Sequence, residues 1–185
     1  MGLLDTLLGR TKVQRATLER LFAISTATLT LDTELGLRPA NRAGICFRPM
    51  ASARFRESGK DIEGMVKLAF KDLGTQMERS NDELGYEWLV LTDADFDDLV
   101  TTIHVAAQSM QEDGFGEQLL CAVFRFEPDV RFIYNFKRGF FYPFVSSGGK
   151  KRDSQRELQL QGKLEHELPI EPELERWYPL WDAPV

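Results

Sequence analysis

Three strand-like runs in the second half of the chain, separated by very short turns, constrain the fold most. The runs are 119–127, 130–137 and 140–145, and only Pro128-Asp129 and Arg138-Gly139 separate them. Two residues are enough to join antiparallel neighbours, whereas parallel strands need a crossover of a dozen or more residues. The sequence therefore predicts an antiparallel meander in this region.

The middle run alternates between apolar and polar side chains. Val130, Phe132, Tyr134 and Phe136 point one way, and the opposite positions are polar except for Ile133. Such alternation is typical of a sheet that buries one face and exposes the other. We therefore expect one face of this sheet to be largely in contact with solvent.

Helical periodicity appears between the strand-like segments. The clearest case follows Asp95, a predicted N-cap, and continues with apolar residues at helical spacing until Gly114. Residues 25–37 fit either a strand or a helix that ends at Gly36, and we favour the helix. The other predicted helices are 13–24, 59–74 and 153–168, and the other predicted strands are 43–49, 75–80 and 86–92.

Single helices between hairpin-linked strands favour an α+β fold in which an antiparallel sheet carries helices on one face. A chain of 185 residues with 43% hydrophobic and 28% charged residues fits a single domain. We predict a short amphipathic helix at 1–12, the α+β domain at 13–168, and a Pro/Trp-rich tail at 169–185. The tail holds four prolines as well as Trp177 and Trp181. We expect it to dock on the domain, and the alternative is a free recognition arm for a partner.

Charge and cysteine use restrict the class of protein. The net charge of −6 disfavours binding to nucleic acid. No apolar run reaches the roughly 18 residues that span a bilayer, and a secretory signal is lacking, so we expect a cytoplasmic protein. Cys46 and Cys121 fit buried free thiols better than a disulfide in that compartment. With His104 and His166 they do not form a zinc pattern, and we predict no metal and no cofactor.

The sequence also lacks catalytic motifs. It contains no phosphate-binding loop, no G-x-S-x-G elbow and no H-E-x-x-H motif. The acidic run 93–98 departs from the EF-hand pattern, so we interpret it as a helix-capping cluster. We therefore predict that the protein is not an enzyme. The alternative is an enzyme or small-ligand-binding domain with an unrecognised pocket around His104 and these aspartates.

Two segments are candidate contacts for a partner or a membrane. The first is a leucine stripe formed by Leu3, Leu4, Leu7 and Leu8, which would also suit a lid on the core. The conformational entropy lost on ordering about ten residues roughly cancels the free energy gained by burying four leucines. The stripe alone is therefore a weak membrane anchor. The second is a basic, aromatic-edged surface comprising Lys137, Arg138, Phe141, Lys150, Lys151 and Arg152. Its start resembles an RNA-binding strand, but Phe141 and Pro143 break that pattern. The alternative is that its aromatic residues belong to the core.

Several segments along the chain together resemble one protein family. They are MGLLDTLLGR, AGICFR, DGFGEQLLCAVF, YNFKRGFFYPF, RDSQRELQL and LPIEPELERWYPLWDAP. They resemble PspAB, prokaryotic proteins associated with the phage-shock membrane-stress protein PspA. The order of strands and helices is also similar to the YbjN and type III secretion chaperone fold. The family resemblance implies association with a PspA-like coiled-coil protein and carries no catalytic residue.

We therefore predict a noncatalytic adaptor or regulator that binds a PspA-like coiled-coil protein in the membrane-stress response. Weak contact with the inner face of the cell membrane is part of this prediction. Direct sensing of anionic lipid is a further alternative. The sequence does not predict the oligomeric state.

Overall fold

The computed structural model describes residues 17–69 and 74–185. Six strands form one antiparallel sheet in the order β2-β3-β1-β4-β5-β6. The strands are β1 (Arg38–Phe47), β2 (Gln76–Asn81), β3 (Glu87–Thr92), β4 (Leu119–Glu127), β5 (Val130–Asn135) and β6 (Phe140–Val145). The α-helices in the described part are α1 (Ala23–Leu35), α2 (Ala53–Ala69), α3 (Phe96–Glu112) and α4 (Ser154–Leu164). The predicted single α+β domain is confirmed.

The predicted meander is confirmed as β4, β5 and β6. Tyr134 on β5 lies opposite Ala122 on β4 and opposite Phe141 on β6. β5 ends two residues earlier than predicted. The reason is local, since the side chain of Asn135 accepts a hydrogen bond from the N–H of Lys137 at 3.0 Å and begins the turn.

The capping prediction for α3 is also confirmed. The carboxylate of Asp95 accepts hydrogen bonds from the N–H groups of Asp97 at 2.8 Å and Asp98 at 3.4 Å. These bonds satisfy two donors that a helix N-terminus leaves free. The apolar stripe of α3, which includes Leu99 and Ile103, is fully buried.

The ambiguous segment after residue 25 is helical, as favoured. Ile24, Ala27 and Leu31 face the core, and α1 ends where Gly36 adopts φ +65°. The N–H of Gly36 donates to the carbonyl of Asp32 at 3.1 Å. This left-handed C-cap lets the chain turn directly into β1.

Two elements begin earlier in the chain than predicted. α2 begins at Ala53, six residues before the predicted start, because the hydroxyl of Ser52 accepts a hydrogen bond from the N–H of Phe55 at 3.1 Å. β1 begins at Arg38 rather than at residue 43. A shift in its register with β4 follows Pro39, and Asn41 has φ 55°, so a bulge carries the strand through residues that periodicity does not recognise.

All four helices pack on one face of the sheet, which we call the helix face. Their buried residues form one continuous cluster with aromatic residues from the central strands. Phe124, Phe126 and Phe132 lie in this cluster and are fully buried. The prediction of helices on one face is therefore confirmed.

The opposite face is not largely exposed to solvent, and that prediction was wrong. Val123 and Ile133 are fully buried there, and Tyr142 and Phe144 join them in a second cluster with Trp177. The prediction came from polar positions on β5 alone. Its neighbours carry apolar side chains on this face, and residues 169–185, the C-terminal tail, lie across them. We call this the tail face.

A candidate interaction surface built by the C-terminal tail

The tail begins by pairing with the edge of the sheet. The N–H of Phe141 on β6 donates to the carbonyl of Pro169 at 2.8 Å, and the N–H of Glu171 donates to the carbonyl of Phe141 at 2.7 Å. Ile170 is the parallel partner of Phe141. The tail thereby occupies hydrogen-bonding groups that an edge strand would otherwise expose.

Two tryptophans then fix the tail on the tail face. Trp177 is 4% exposed, and its ring stacks on Tyr142 with centroids 6.2 Å apart. Its indole N–H donates to the carbonyl of Glu171 at 2.9 Å. Trp181 packs edge-on against Phe144 at 4.9 Å between centroids. Buried aromatic rings with a satisfied polar atom are the usual anchors of such a contact.

Two arginines from the predicted basic surface bind the tail. Arg138 forms ion pairs with the carboxylates of Glu171 and Glu173, and the hydrogen bond with Glu171 raises the pKa of the guanidinium. Arg152 pairs with the buried carboxylate of Glu157 at 2.8 Å and donates to the carbonyl of Trp177. These cations therefore hold the tail within this chain.

The last residues of the tail lie against β1. The side chain of Val185 is buried, and a Cβ on Gly44 would come within 2.6 Å of it. Arg42 donates to the carbonyl of Pro184 at 2.9 Å, and Arg131 donates to the carbonyl of Val185 at 2.9 Å. Glycine at position 44 makes this close approach possible.

The remaining candidate contact residues fall into three groups. Lys137 and Lys151 are exposed, and Lys150 pairs with Asp182 of the tail at 3.2 Å. Phe141 is fully buried on the helix face, so its side chain is not accessible to a partner and the prediction of a contact there is wrong. The leucines of the N-terminal stripe lie outside the described residues.

The tail also carries exposed apolar side chains that sequence reasoning did not select. Among the described residues, six large hydrophobic side chains are exposed, and four of them lie on the tail or line a groove beside it. These four are Leu84, Leu158, Leu174 and Tyr178. A leucine in the turn between two strands carries no periodic signal, so only the folded chain reveals that Leu84 borders the tail.

A groove lies between the tail and the β2–β3 turn, and we call it the Trp181 groove. Its volume is about 240 Å³. Its apolar lining includes Leu84, Leu180 and Trp181. The charged residues at its border are Asp82, Glu83, Asp182 and Lys150, so acidic groups outnumber basic ones. An apolar groove with an acidic border can accept an amphipathic segment with basic flanks.

His104 and the aspartates of the alternative site each make local contacts. The imidazole packs on Phe22 with ring centroids 4.7 Å apart, and its Nε2 lies 3.5 Å from a carboxylate oxygen of Glu19. The aspartates instead serve the N-terminus of α3, where Asp93 accepts from the N–H of Asp95 at 2.9 Å. Residues 17–69 and 74–185 contain no group of three or more His, Cys, Asp or Glu side chains placed to hold a metal.

The two cysteines are free thiols on the tail face. Cys46 is buried, Cys121 is half-buried, and they lie directly opposite each other on β1 and β4. A hydrogen bond with Cys121, together with burial, raises the pKa of the Cys46 thiol. A thiol with a raised pKa is a weak nucleophile at neutral pH.

Comparison with known families assigns the chain. A family model described as PspAB, PspA associated protein B, matches residues 1–185, the whole chain. The chain belongs to the PspAB family. This confirms the resemblance seen in the sequence and links the protein to PspA. Searches of curated proteins and of solved structures each gave no match.

The similarity to the type III secretion chaperone fold remains a prediction, as does the division of the chain near residues 12 and 168. Within the described residues, no helix combines the length and the apolar character needed to cross a membrane.

Proposed function

We propose that this PspAB protein is a noncatalytic adaptor or regulator that binds a PspA-like coiled-coil protein in the membrane-stress response. The tail face is the proposed docking surface. Membership of a family described by its association with PspA supports the partner. The observation that carries the choice of surface is the Trp181 groove with its exposed neighbour Leu84.

The apolar lining and the charge of the groove favour one kind of occupant. Coiled-coil helices present apolar residues at intervals of three and four, and such a stripe can pack against the apolar side chains of the groove. Asp82, Glu83 and Asp182 would attract basic residues that flank the stripe. Leu84 is 82% exposed, which is a high value for a side chain without a partner.

Binding of a purified PspA-like protein to variants of this chain tests the proposal. We expect Leu84→Asp to weaken binding by about tenfold or more, because it places a charge in an apolar contact. The matched control is Leu29→Asp, since Leu29 is 71% exposed on α1, across the sheet from the tail. The control is expected to bind like the wild-type protein.

Three results would contradict the proposal. The first is the absence of binding by the wild-type protein. The second is unchanged binding by Leu84→Asp, and the third is equal loss in both variants. Circular dichroism and a melting curve for each variant establish that the fold is intact.

Leu3, Leu4, Leu7 and Leu8 belong to the proposal as a second contact. We place the protein in the cytoplasm, with this stripe touching the partner or, weakly, the inner face of the membrane. Flotation with anionic liposomes tests the membrane contact. The double variant Leu4→Asp, Leu8→Asp is expected to float less than the wild-type protein, and equal flotation would dismiss the stripe as an anchor.

The noncatalytic part of the proposal has its own test. His104 and the acidic run make contacts that stabilise α3 and its packing, which supports a structural role for them. We expect His104→Ala to retain binding of the PspA-like protein. Turnover of a metabolite by the purified protein, abolished by a single substitution, would overturn the noncatalytic role.

A further inference from the structure

Two arginines face each other at the far end of the tail face. Arg125 on β4 and Arg131 on β5 are directly opposite in the register of the two strands. Like charges in this position repel each other. Burial and the charge of Arg125 lower the pKa of the Arg131 guanidinium. The charge of Asp129 acts in the opposite direction, and an anion bound between the two arginines would reduce their repulsion further.

The hydrogen-bonding capacity of this pair is largely unused. Arg131 donates through Nε to the carbonyl of Val185, which leaves its two terminal nitrogens for another acceptor. Arg125 forms no hydrogen bond or ion pair with any residue in the described part of the chain. On the next strand, by contrast, Arg42 is paired with Glu78 at 2.9 Å and also donates to the tail.

A cavity of about 150 Å³ lies at this pair. Ser146 lines it, and because the Ser146 oxygen accepts from the N–H of Gly148 at 3.3 Å, the hydroxyl hydrogen remains free to donate. Trp181 forms an apolar wall. Asp129 is the one acidic residue among the residues that line the cavity, so two arginines and one aspartate give a net charge of +1.

We propose that this cavity binds a phosphate group, as inorganic phosphate or as a phosphomonoester. The planar guanidinium groups of Arg125 and Arg131 match two oxygens each on a phosphate. The hydroxyl of Ser146 supplies a further donor. A phosphomonoester also presents three free oxygens to these donors, whereas a carboxylate presents only two. This site lies beyond the proposed partner-binding function and does not depend on it.

Titration of the full chain with inorganic phosphate and with glycerol phosphate tests the site. Binding is followed by calorimetry and by ³¹P NMR at constant ionic strength. We expect saturable binding by the wild-type protein. Arg125→Gln is expected to lower the affinity by about tenfold or more, since it removes charged hydrogen bonds. Arg125→Lys keeps the positive charge but loses the paired donors of the guanidinium. Its affinity for phosphate is therefore expected to lie between those of the wild-type protein and Arg125→Gln.

The matched control is Arg48→Gln, which removes the same charge from an exposed position outside the cavity. It is expected to bind phosphate like the wild-type protein. If Arg125→Gln does not fold, Ser146→Ala replaces it and is expected to weaken binding by a smaller factor. Equal affinity in the wild-type protein and Arg125→Gln would overturn the site, and so would equal loss in Arg48→Gln.

A second arm identifies the source of the phosphate. Vesicles of phosphatidic acid in phosphatidylcholine present a phosphomonoester headgroup, whereas glycerol phosphate presents the same group in solution. Binding to either that depends on Arg125 supports the site. The headgroup is assigned when the vesicles bind and the soluble ester does not, and the free ligand is assigned by the reverse result. Binding to neither would overturn the proposal.

Discussion

The helix face and the tail face of the same sheet are covered in two different ways. On the helix face, four helices bury a continuous apolar cluster. On the tail face, a segment without α-helix or long strand covers a smaller cluster. Helices satisfy their own backbone hydrogen bonds, whereas an irregular segment must find partners elsewhere.

Side chains of the sheet and of the loop after β6 supply those partners. Arg42, Arg131 and Arg152 each donate to a carbonyl of the tail, and the hydroxyl of Tyr142 donates to the carbonyl of Tyr178 at 3.1 Å. Cations that appear free in the sequence are therefore used within the fold. In this protein, basic residues beside an irregular tail therefore donate hydrogen bonds to its backbone, which reduces the number of cations left for a partner.

The largest expected effect tests whether burial on the tail face contributes as much to the free energy of unfolding as burial on the helix face. Trp177→Ala should lower the free energy of unfolding by about 3–5 kcal/mol, as for a large aromatic residue in a helix-packed core. Tyr178→Ala, a change at the exposed neighbour, should stay within about 0.5 kcal/mol. Chemical denaturation measures both. A loss below about 1 kcal/mol for Trp177→Ala would mean that the tail contributes little to stability.

The second prediction concerns the cations. Arg152→Gln should lower the free energy of unfolding by about 2–3 kcal/mol, because it leaves the buried carboxylate of Glu157 without its guanidinium partner. Lys151→Gln removes the same charge from an exposed position and should change stability by less than about 0.5 kcal/mol. Urea melts of both variants check this. Similar losses in both would show that general charge, rather than the specific pair, fastens the tail.

The third prediction compares a substitution beside the end of the tail with a substitution in a helix of the helix face. Gly44→Ala should cost about 1–2 kcal/mol, since its Cβ would lie 2.6 Å from a methyl group of Val185. Gly162→Ala within α4 meets no atom within 4 Å and should stabilise by about 0.5–1 kcal/mol. Hydrogen exchange should show faster exchange confined to the tail in Gly44→Ala. Faster exchange in the helices instead would contradict the assignment.

The smallest effect depends on pH. A hydrogen bond from Arg176, with the charge of Arg138, lowers the pKa of Glu173 below its ordinary value. A lowered pKa gives stability that is present above the unfolded pKa of about 4.3 and is lost as the pH falls through the folded pKa. Glu173→Gln should therefore melt slightly below the wild-type protein at pH 7.

The same comparison at acid pH completes the test. The difference in melting temperature between Glu173→Gln and the wild-type protein should shrink progressively as the pH falls below about 4.3, the unfolded pKa. Glu175→Gln serves as the control for a nearby exposed glutamate. A difference that persists unchanged at pH 3 would show that the pair with Arg176 and Arg138 is not its source.

Much of the fold was predictable because its signals are local. Asp95 and the apolar spacing behind it define α3, and the two short turns define the meander. Gly36 ends α1 with a left-handed cap. This cap is predictable from sequence because it depends only on the glycine and on the last turn of the helix. The start of β1 was missed, since its bulge near Asn41 depends on pairing with β4.

The candidate surface was much less predictable. Lys137, Arg138 and Arg152 appear in the sequence as one basic group, but Arg138 and Arg152 pair with carboxylates up to 35 residues away. Leu84 became a candidate contact only because the tail lies beside it. Pairings of this kind follow from which segments meet, and periodicity contains no information on that.

The sequence by itself determined the family, the antiparallel meander and the capped helix α3, because each rests on neighbouring residues or on motifs along the chain. Only the tertiary structure decided which face the tail covers, which arginines bind it and where a groove remains. Those outcomes require segments distant in sequence to meet, and the free energy of each contact depends on both partners.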